Sequence, residues 1–519
     1  MKSLRRDDWM NNIQEQYLQA LTRRHFLARC GTGVGGMALS TMLGGQQLQA
    51  ADDRTGPNPL APRRPHIASR AKNIIYLHMA GSPTQLELFD FKPALKKHDG
   101  KPCSKEYLDG KRFAFIHPKA NPVMMGPLFD FKQHGQAGTW ISELLPNIAT
   151  VADELCVIRS MFTTQFNHSP AQLLLHTGDP RFGSPSMGSW ITYGLGSENE
   201  NLPGFMVLAS GGRTPSAGKS VWGSGYLPSV YQGTQCRNTG DPLLYLSNPK
   251  GLDRTSRRRQ LDALRELNEI EYRAVGDPET ISRIAQYELT FRMQTAAAEV
   301  MDISRESKEI LDMYGAKPGV KSTADTKSVG DKPLAAADDP GFANNCLLAR
   351  RLVESGVRFV QLYDWGWDHH GASQPEDMRS HLPVKARQID RPIAALIRDL
   401  RQRGLLDETL VVWGGEFGRT PMRENRGGKY GKFVGRDHHP FAFTMWMAGG
   451  GIRGGQNFGA TDEIGYYPTE NPVSVRDLQA TILHSLGLDP YRLGVIRSGL
   501  NSRLIGPTDE GKVRREILI

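Results

Sequence analysis

Six short apolar runs constrain this chain more than any other feature. They are NIIYLHM (73 to 79), LCVIRS (155 to 160), FMVLAS (205 to 210), VRFVQLY (357 to 363), TLVVWGG (409 to 415) and FTMWMAGG (443 to 450). Each is too short for a buried helix, is rich in β-branched and aromatic residues and runs into a turn, the pattern of a strand buried on both faces. Between several of them lie helical patterns, among them ELLPNIATVAD, CLLARRLVESG and IDRPIAALIRDLRQRGLLD. Strands alternating with amphipathic helices predict an α/β fold, a mostly parallel central sheet with helices on both faces. All six runs are expected to lie parallel.

The rest of the chain divides around this core. Arg23 and Arg24 precede a Gly-rich, weakly apolar stretch free of acidic residues and ending near Ala50 and Ala51. This pattern reads as a twin-arginine signal over residues 1–50, recognised by the twin-arginine export machinery, and it sends the protein to the periplasm or beyond. Residues 51–71, rich in Pro and Arg, read as a linker. The folded domain spans 72–505, with a charged helical insertion over about 253–315, a flexible loop over about 316–340 and a C-terminal tail at 506–519. After the signal no 18-residue apolar run occurs, so no membrane span is expected. Cys103, Cys156, Cys236 and Cys346 form no CxxC pair, and in an oxidising compartment one or two disulfides are possible.

Charge excludes one class of partner. Of the net +9, the first 50 residues supply +3, from six basic and three acidic side chains. The densest basic cluster, RTSRRR at 254 to 259, opens a helical stretch with no aromatic platform, so nucleic acid is not an expected partner. The oligomeric state is not encoded in any visible pattern.

Ligands of open parallel sheets bind at the carboxyl ends of strands, so the polar residues past each run are the candidate site. VRFVQLY leads to Asp364, Asp368, His369 and His370, and TLVVWGG leads to Glu416 and Arg419. GRDHHP supplies Arg436, Asp437, His438 and His439, and FNHSPAQLLLHTG places Asn167, His168 and Ser169 at a helix start, where an anion is favoured. His78 closes the first run. A single histidine is more often hydrogen-bonded structure than a ligand. Two Asp/His clusters and a Glu after core strands are costly to bury without a cation, and the donors suit a divalent metal such as zinc, manganese or calcium.

Several longer motifs, in one order, carry a resemblance. AGSP leading to FDFKP, NHSPAQLLLHTG, GWDHHG, GGEFGRTP, GRDHHPFAFTMWMAGGG and TDEIGYYPTENPVSVRDLQATILHSLGLD together resemble the secreted DUF1501 family, whose fold is grouped with alkaline phosphatases and sulfatases. The resemblance covers residues 72 to about 490. It implies an alkaline-phosphatase-like domain in which Glu416 takes a metal-ligand position and His168 falls where sulfatases carry their Cys or Ser nucleophile. Gln172 stands where sulfatases carry an Arg, and no metal-binding Asp follows the first strand.

The expectation is an exported metal-dependent hydrolase of phosphate or sulfate esters. Asp368, His370, Glu416, Asp437 and His438 would hold one or two cations, with Arg419, Arg436 and Asn167 on the substrate anion. His168 would act as a metal ligand or phosphoryl acceptor, and Ser169 as a hydroxyl beside a base. His78, Asp364, His369 and His439 complete the candidates. The alternative is a non-catalytic binding module for sulfated or acidic polysaccharides, and a third reading is a scaffold that assembles through the helical insertion.

Overall fold

The computed structural model describes residues 58–236, 248, 251–320, 322, 336–507 and 511–519. The signal, residues 51–57 of the linker and much of the loop at 316–340 lie outside the described residues. We number the strands of the main sheet and its associated ribbon in chain order. They are β1 (Asn73–Ala80), β2 (Leu155–Phe162), β3 (Phe205–Ser210), β4 (Thr234–Gln235), β5 (Phe359–Trp365), β6 (Thr409–Gly414), β7 (Gly418–Arg423), β8 (Arg436–His439), β9 (Phe443–Ala448), β10 (Gln456–Phe458) and β11 (Val473–Ser474).

The nine-stranded sheet runs β10-β2-β9-β6-β1-β5-β3-β4, with β11 also on β2. β1 lies between β5 and β6, and seven of its eight residues are buried, which is why NIIYLHMA shows no polar alternation. The fold is α/β with a mostly parallel sheet. One of the six runs departs from expectation: β9 is antiparallel to both neighbours, β2 and β6. The chain leaves β6, makes an excursion over residues 415–442 and re-enters the sheet beside the strand it left. A direct return of this kind gives an antiparallel neighbour, because a parallel one needs a crossover. A continuous apolar run reports burial on both faces and carries no information on direction.

Helices cover the faces. The helix Gly341–Glu354 packs on Met378–Gln402, which buries Leu382, Ile389, Ile393, Leu396 and Leu400 at helical spacing. The helix Val475–Ser485 begins with a capping box formed by Ser474 and Asp477, and Gln479 donates from it to the carbonyls of Leu174 and Leu175. The insertion contains helices Arg254–Val275, Pro278–Met301 and Lys308–Tyr314 and is tied to the core where the Tyr314 hydroxyl donates to Asp399 at 3.0 Å. At the C-terminus, Lys512 N–H donates to Asp477 and Ile517 is buried, so residues 511–519 pack on the domain.

Cys103, Cys156, Cys236 and Cys346 are buried free thiols, and burial pushes the Cys103 pKa up to about 11. Among the described residues no helix is long and apolar enough to cross a membrane.

Candidate metal centre

Three segments meet at one end of the sheet. The helix His168–Thr177 starts after β2 and is capped at its far end by Gly178 in the left-handed conformation. The loop after β5 carries Asp368 and His370. The excursion between β6 and β9 folds into the antiparallel ribbon β7/β8, in which His438 pairs with Arg419. Because β9 is antiparallel, its entry lies at the same end of the sheet as the exits of the parallel strands. The GRDHH segment therefore reaches the site although it precedes a strand.

Glycine permits these approaches. A Cβ on Gly435 would lie 2.0 Å from the carbonyl carbon of His370, and Gly81, at φ +106°, would place one 2.7 Å from the Asp368 amide nitrogen.

The side chains of His168, Asp368, His370 and His438 converge, with donor atoms all within 4.8 Å of one another. Each imidazole is anchored through Nδ1. His168 Nδ1 lies 2.7 Å from Glu416 Oε1, His370 Nδ1 lies on Glu424 Oε2, and His438 Nδ1 lies 2.7 Å from the carbonyl oxygen of Phe166. These partners accept, so the Nδ1 atoms carry the hydrogens and the Nε2 atoms face the cluster. His370 Nε2 is 2.8 Å from Asp368 Oδ1 and 3.0 Å from His438 Nε2, and His168 Nε2 is 3.3 Å from Asp368 Oδ2. His168 Nε2 is buried without a hydrogen bond, the Asp368 oxygen being at ion-pair distance but poorly aligned.

Acceptor atoms packed this closely repel unless a proton or a cation lies among them. Three imidazole nitrogens held by outer acceptors, with one carboxylate, form a donor set suited to a divalent metal. A second group, His370, Glu424 and Asp437, adjoins the first through His370.

The electrostatics agree with a cluster held together by charge. Burial works against ionisation of Asp368, but Arg419 and His168 hold its carboxyl well below the usual range. Burial lowers the His168 pKa, yet Asp368 and Glu416 outweigh it and raise the value to about 9. His370 is raised in the same way by hydrogen bonds to Asp368 and Glu424 against its burial, whereas burial and the nearby cations lower His438 to about 4. With no cation bound, protonation is favoured at His168 and His370 and disfavoured at His438.

The remaining candidates lie around or away from this centre. Glu416 stands behind His168 and accepts from Gln172 at 2.9 Å and from Gly81 N–H, with His78 Nε2 3.3 Å from its other oxygen. It orients His168 and is not itself among the converging donors. His78 continues inward to His176 at 3.3 Å. Arg419 donates to Asp368 at 2.5 Å and to the carbonyls of Gly81, Ser82 and Arg436. Arg436 is committed to Glu87 at 2.8 Å and to the carbonyls of Thr420, Met125 and Gly126. Both guanidinium groups are fully buried and directed at protein atoms, so neither faces an open anion site.

Asp437 accepts from the amides of Phe115, Ile116 and His438, each at 2.8 Å. Asp364 belongs to a separate buried group with Lys385 at 2.6 Å, Ser210 and Trp367. His369 pairs with His381, and His439 with the Tyr466 carbonyl. Asn167 is the exposed N-cap residue of the His168 helix, and Ser169 is half-buried in its first turn. The sequence reading missed Glu424, which sits in the ribbon among basic residues and carries no signal until β7 and β8 pair.

A family model described as "Protein of unknown function (DUF1501)" matches residues 71–518. No curated protein matches the chain. Among solved structures, the chain is similar to the PsFucS1 sulfatase from Pseudoalteromonas sp., at 13% identity over 86% of this chain and 74% of that one, with a TM-score of 0.34. It is similar to the phosphonate monoester hydrolase SpPMH from Silicibacter pomeroyi, at 13% identity over 86% and 76%, with a TM-score of 0.34. It is also similar to the lipoteichoic acid synthase LtaP from Listeria monocytogenes, at 10% identity over 88% and 79%, with a TM-score of 0.33.

Proposed function

We propose a function for this chain, which belongs to the DUF1501 family: it is an exported, metal-dependent hydrolase of phosphate or sulfate esters. The observation that carries the proposal is the convergence of three outward-anchored imidazoles on Asp368. His168, Asp368, His370 and His438 would hold one divalent cation. Three nitrogens and one carboxylate favour zinc or manganese over calcium, which prefers an all-oxygen shell.

A bound divalent cation supplies Lewis acidity and lowers the pKa of a coordinated water, chemistry that needs no side-chain nucleophile. The chain's own residues do the rest. Glu416 and Glu424 accept the Nδ1 hydrogens of His168 and His370 and keep their Nε2 lone pairs turned inward. Arg419 fixes Asp368. Asp368, with about 30% of its side chain exposed, and His168, at 15%, form the open side on which an ester would enter. His168 is also the first residue of its helix, where backbone amides favour an anion.

The test is metal analysis by mass spectrometry on protein exported and purified without chelator, followed by assay against aryl phosphates and aryl sulfates. The proposal predicts at least one bound zinc or manganese, lost in Asp368→Asn together with esterase activity. A metal-free protein with unchanged stability, or an Asp368→Asn variant of full metal content and activity, contradicts it.

A further inference from the structure

Two segments border the cluster, residues 111–120 and 425–433, and together they hold six lysines and arginines and no carboxylate. They are joined to each other and to the site. His117 N–H donates to Asn425 at 2.9 Å, Ile116 bridges Arg426, and the amides of Phe115 and Ile116 bind Asp437. The Phe115 ring lies edge-on against His370 and His438, with centroids 4.7 and 5.8 Å apart.

Most of these cations rest on aromatic faces. Arg426 lies 3.8 Å from the Phe115 centroid and Arg112 4.8 Å from that of Phe166. Lys111 spans Phe441 and Tyr467, and Lys432 lies over Phe433. Arg426 also donates to Glu424 at 2.9 Å, and stacking on aromatic faces holds Lys111, Arg112 and Lys432 in place. Cations fixed in this way lose little freedom when they engage an anion.

Position then defines what they can engage. Arg426 binds Glu424, the carboxylate behind His370 Nδ1, so it stands on the outer side of that ring and away from the Nε2 atoms that would face the reacting anion. Arg112 likewise lies over the ring of Phe166, the residue whose backbone carbonyl holds His438 Nδ1 from the outer side. The rim therefore calls for anionic groups on the ligand beyond the reacting one. The aromatic faces are covered by cations and offer no platform for stacking bases, which disfavours nucleic acid.

We propose that the loops 111–120 and 425–433 form a binding rim for a multiply anionic carbohydrate, with Arg112 and Arg426 contacting anionic groups next to the ester presented to the cluster. This rests on the hydrolase reading for its orientation, since the rim matters as a substrate subsite only beside a reacting centre.

The test uses the full exported protein and dextran sulfate as probe, with uncharged dextran, polyglutamate and a single-stranded oligonucleotide of similar length as comparisons. Dextran sulfate is expected to bind, more weakly as salt is raised, while uncharged dextran does not. Arg112→Ala, whose side chain touches no donor of the cluster, and Arg426→Ala should each weaken dextran sulfate binding about tenfold, with Arg112→Lys restoring part of the loss. Unchanged affinity in both alanine variants overturns the proposal. So does tighter binding of polyglutamate or of the oligonucleotide, which assigns the rim to another class of polymer. Metal content is read on the same samples. Arginine-dependent binding by a metal-free protein removes the hydrolase reading and leaves the rim, whereas a metal-loaded protein with arginine-independent binding removes the rim alone.

Discussion

His370 Nε2 and His438 Nε2 face each other at 3.0 Å, each ring held from behind by an acceptor on its other nitrogen. Two imidazoles so fixed cannot both turn a hydrogen toward the contact. A shared proton or a cation must occupy it, and the nearby Asp368 carboxylate favours either.

If a cation is the resident, the anchoring carboxylates tune it. Glu416→Gln and Glu424→Gln should each weaken metal affinity roughly 10–100-fold while stoichiometry at saturating metal is kept. Competition with a chromophoric chelator measures this. Equal affinity in both variants and the parent would show that the histidines are oriented by packing alone.

The ion-free protein should lose stability in mildly alkaline solution. His168 has its pKa raised to about 9 in the folded state against 6.5 for the model side chain, so its contribution is full below 6.5 and is lost as pH rises through 9. The loss amounts to no more than about 3 kcal/mol, visible in denaturant unfolding of chelator-treated protein between those limits. Metal-loaded protein should not show it, because metal binding displaces the His168 proton. That release is measurable by calorimetry in buffers of different ionisation enthalpy.

Arg436→Ala should destabilise the fold by about 3–5 kcal/mol, because it strands the buried Glu87 carboxylate. If Arg436 instead served a bound anion, the variant would unfold like the parent and change only in substrate affinity. Urea denaturation distinguishes the two.

Gly435→Ala probes the seam between the two histidine-bearing segments. A methyl 2.0 Å from the His370 carbonyl carbon forces them apart, so metal content should fall together with thermal stability. Gly431→Ala, at a glycine without positive φ whose Cβ would meet nothing nearer than 3.9 Å, is the control, expected to keep its metal.

The sheet was legible because strands buried on both faces announce themselves as apolar runs. The direction of Phe443–Ala448 was not, since burial is indifferent to polarity of the chain. At the site, Asp368, His370 and His438 stood out as clustered donors past or beside such runs. Glu416 looked like a ligand because it follows β6 directly, yet the turn places it one residue layer behind His168. Arg419 and Arg436 looked like anion clamps because a guanidinium fork suits any oxyanion. In this fold the oxyanions are the protein's own Asp368 and Glu87, the latter in a short QLEL turn whose pattern marks no partner. The Phe166 carbonyl that orients His438 is backbone and has no sequence signal at all.

The direct return from β6 into β9 has a mechanical consequence. The excursion, which carries His438 and the side chains that hold His168, Asp368 and His370, is sewn into the middle of the sheet at both ends, with Glu416, Arg419 and Glu424 on its outgoing limb and Asp437 and His438 on its returning one. Its tip is the Gly427–Gly428 turn, at φ +63° and +79°. A protease cut at that tip would sever the covalent link between the limbs while each kept its own central strand as a root, so the donors need not drift apart when the chain between them is broken.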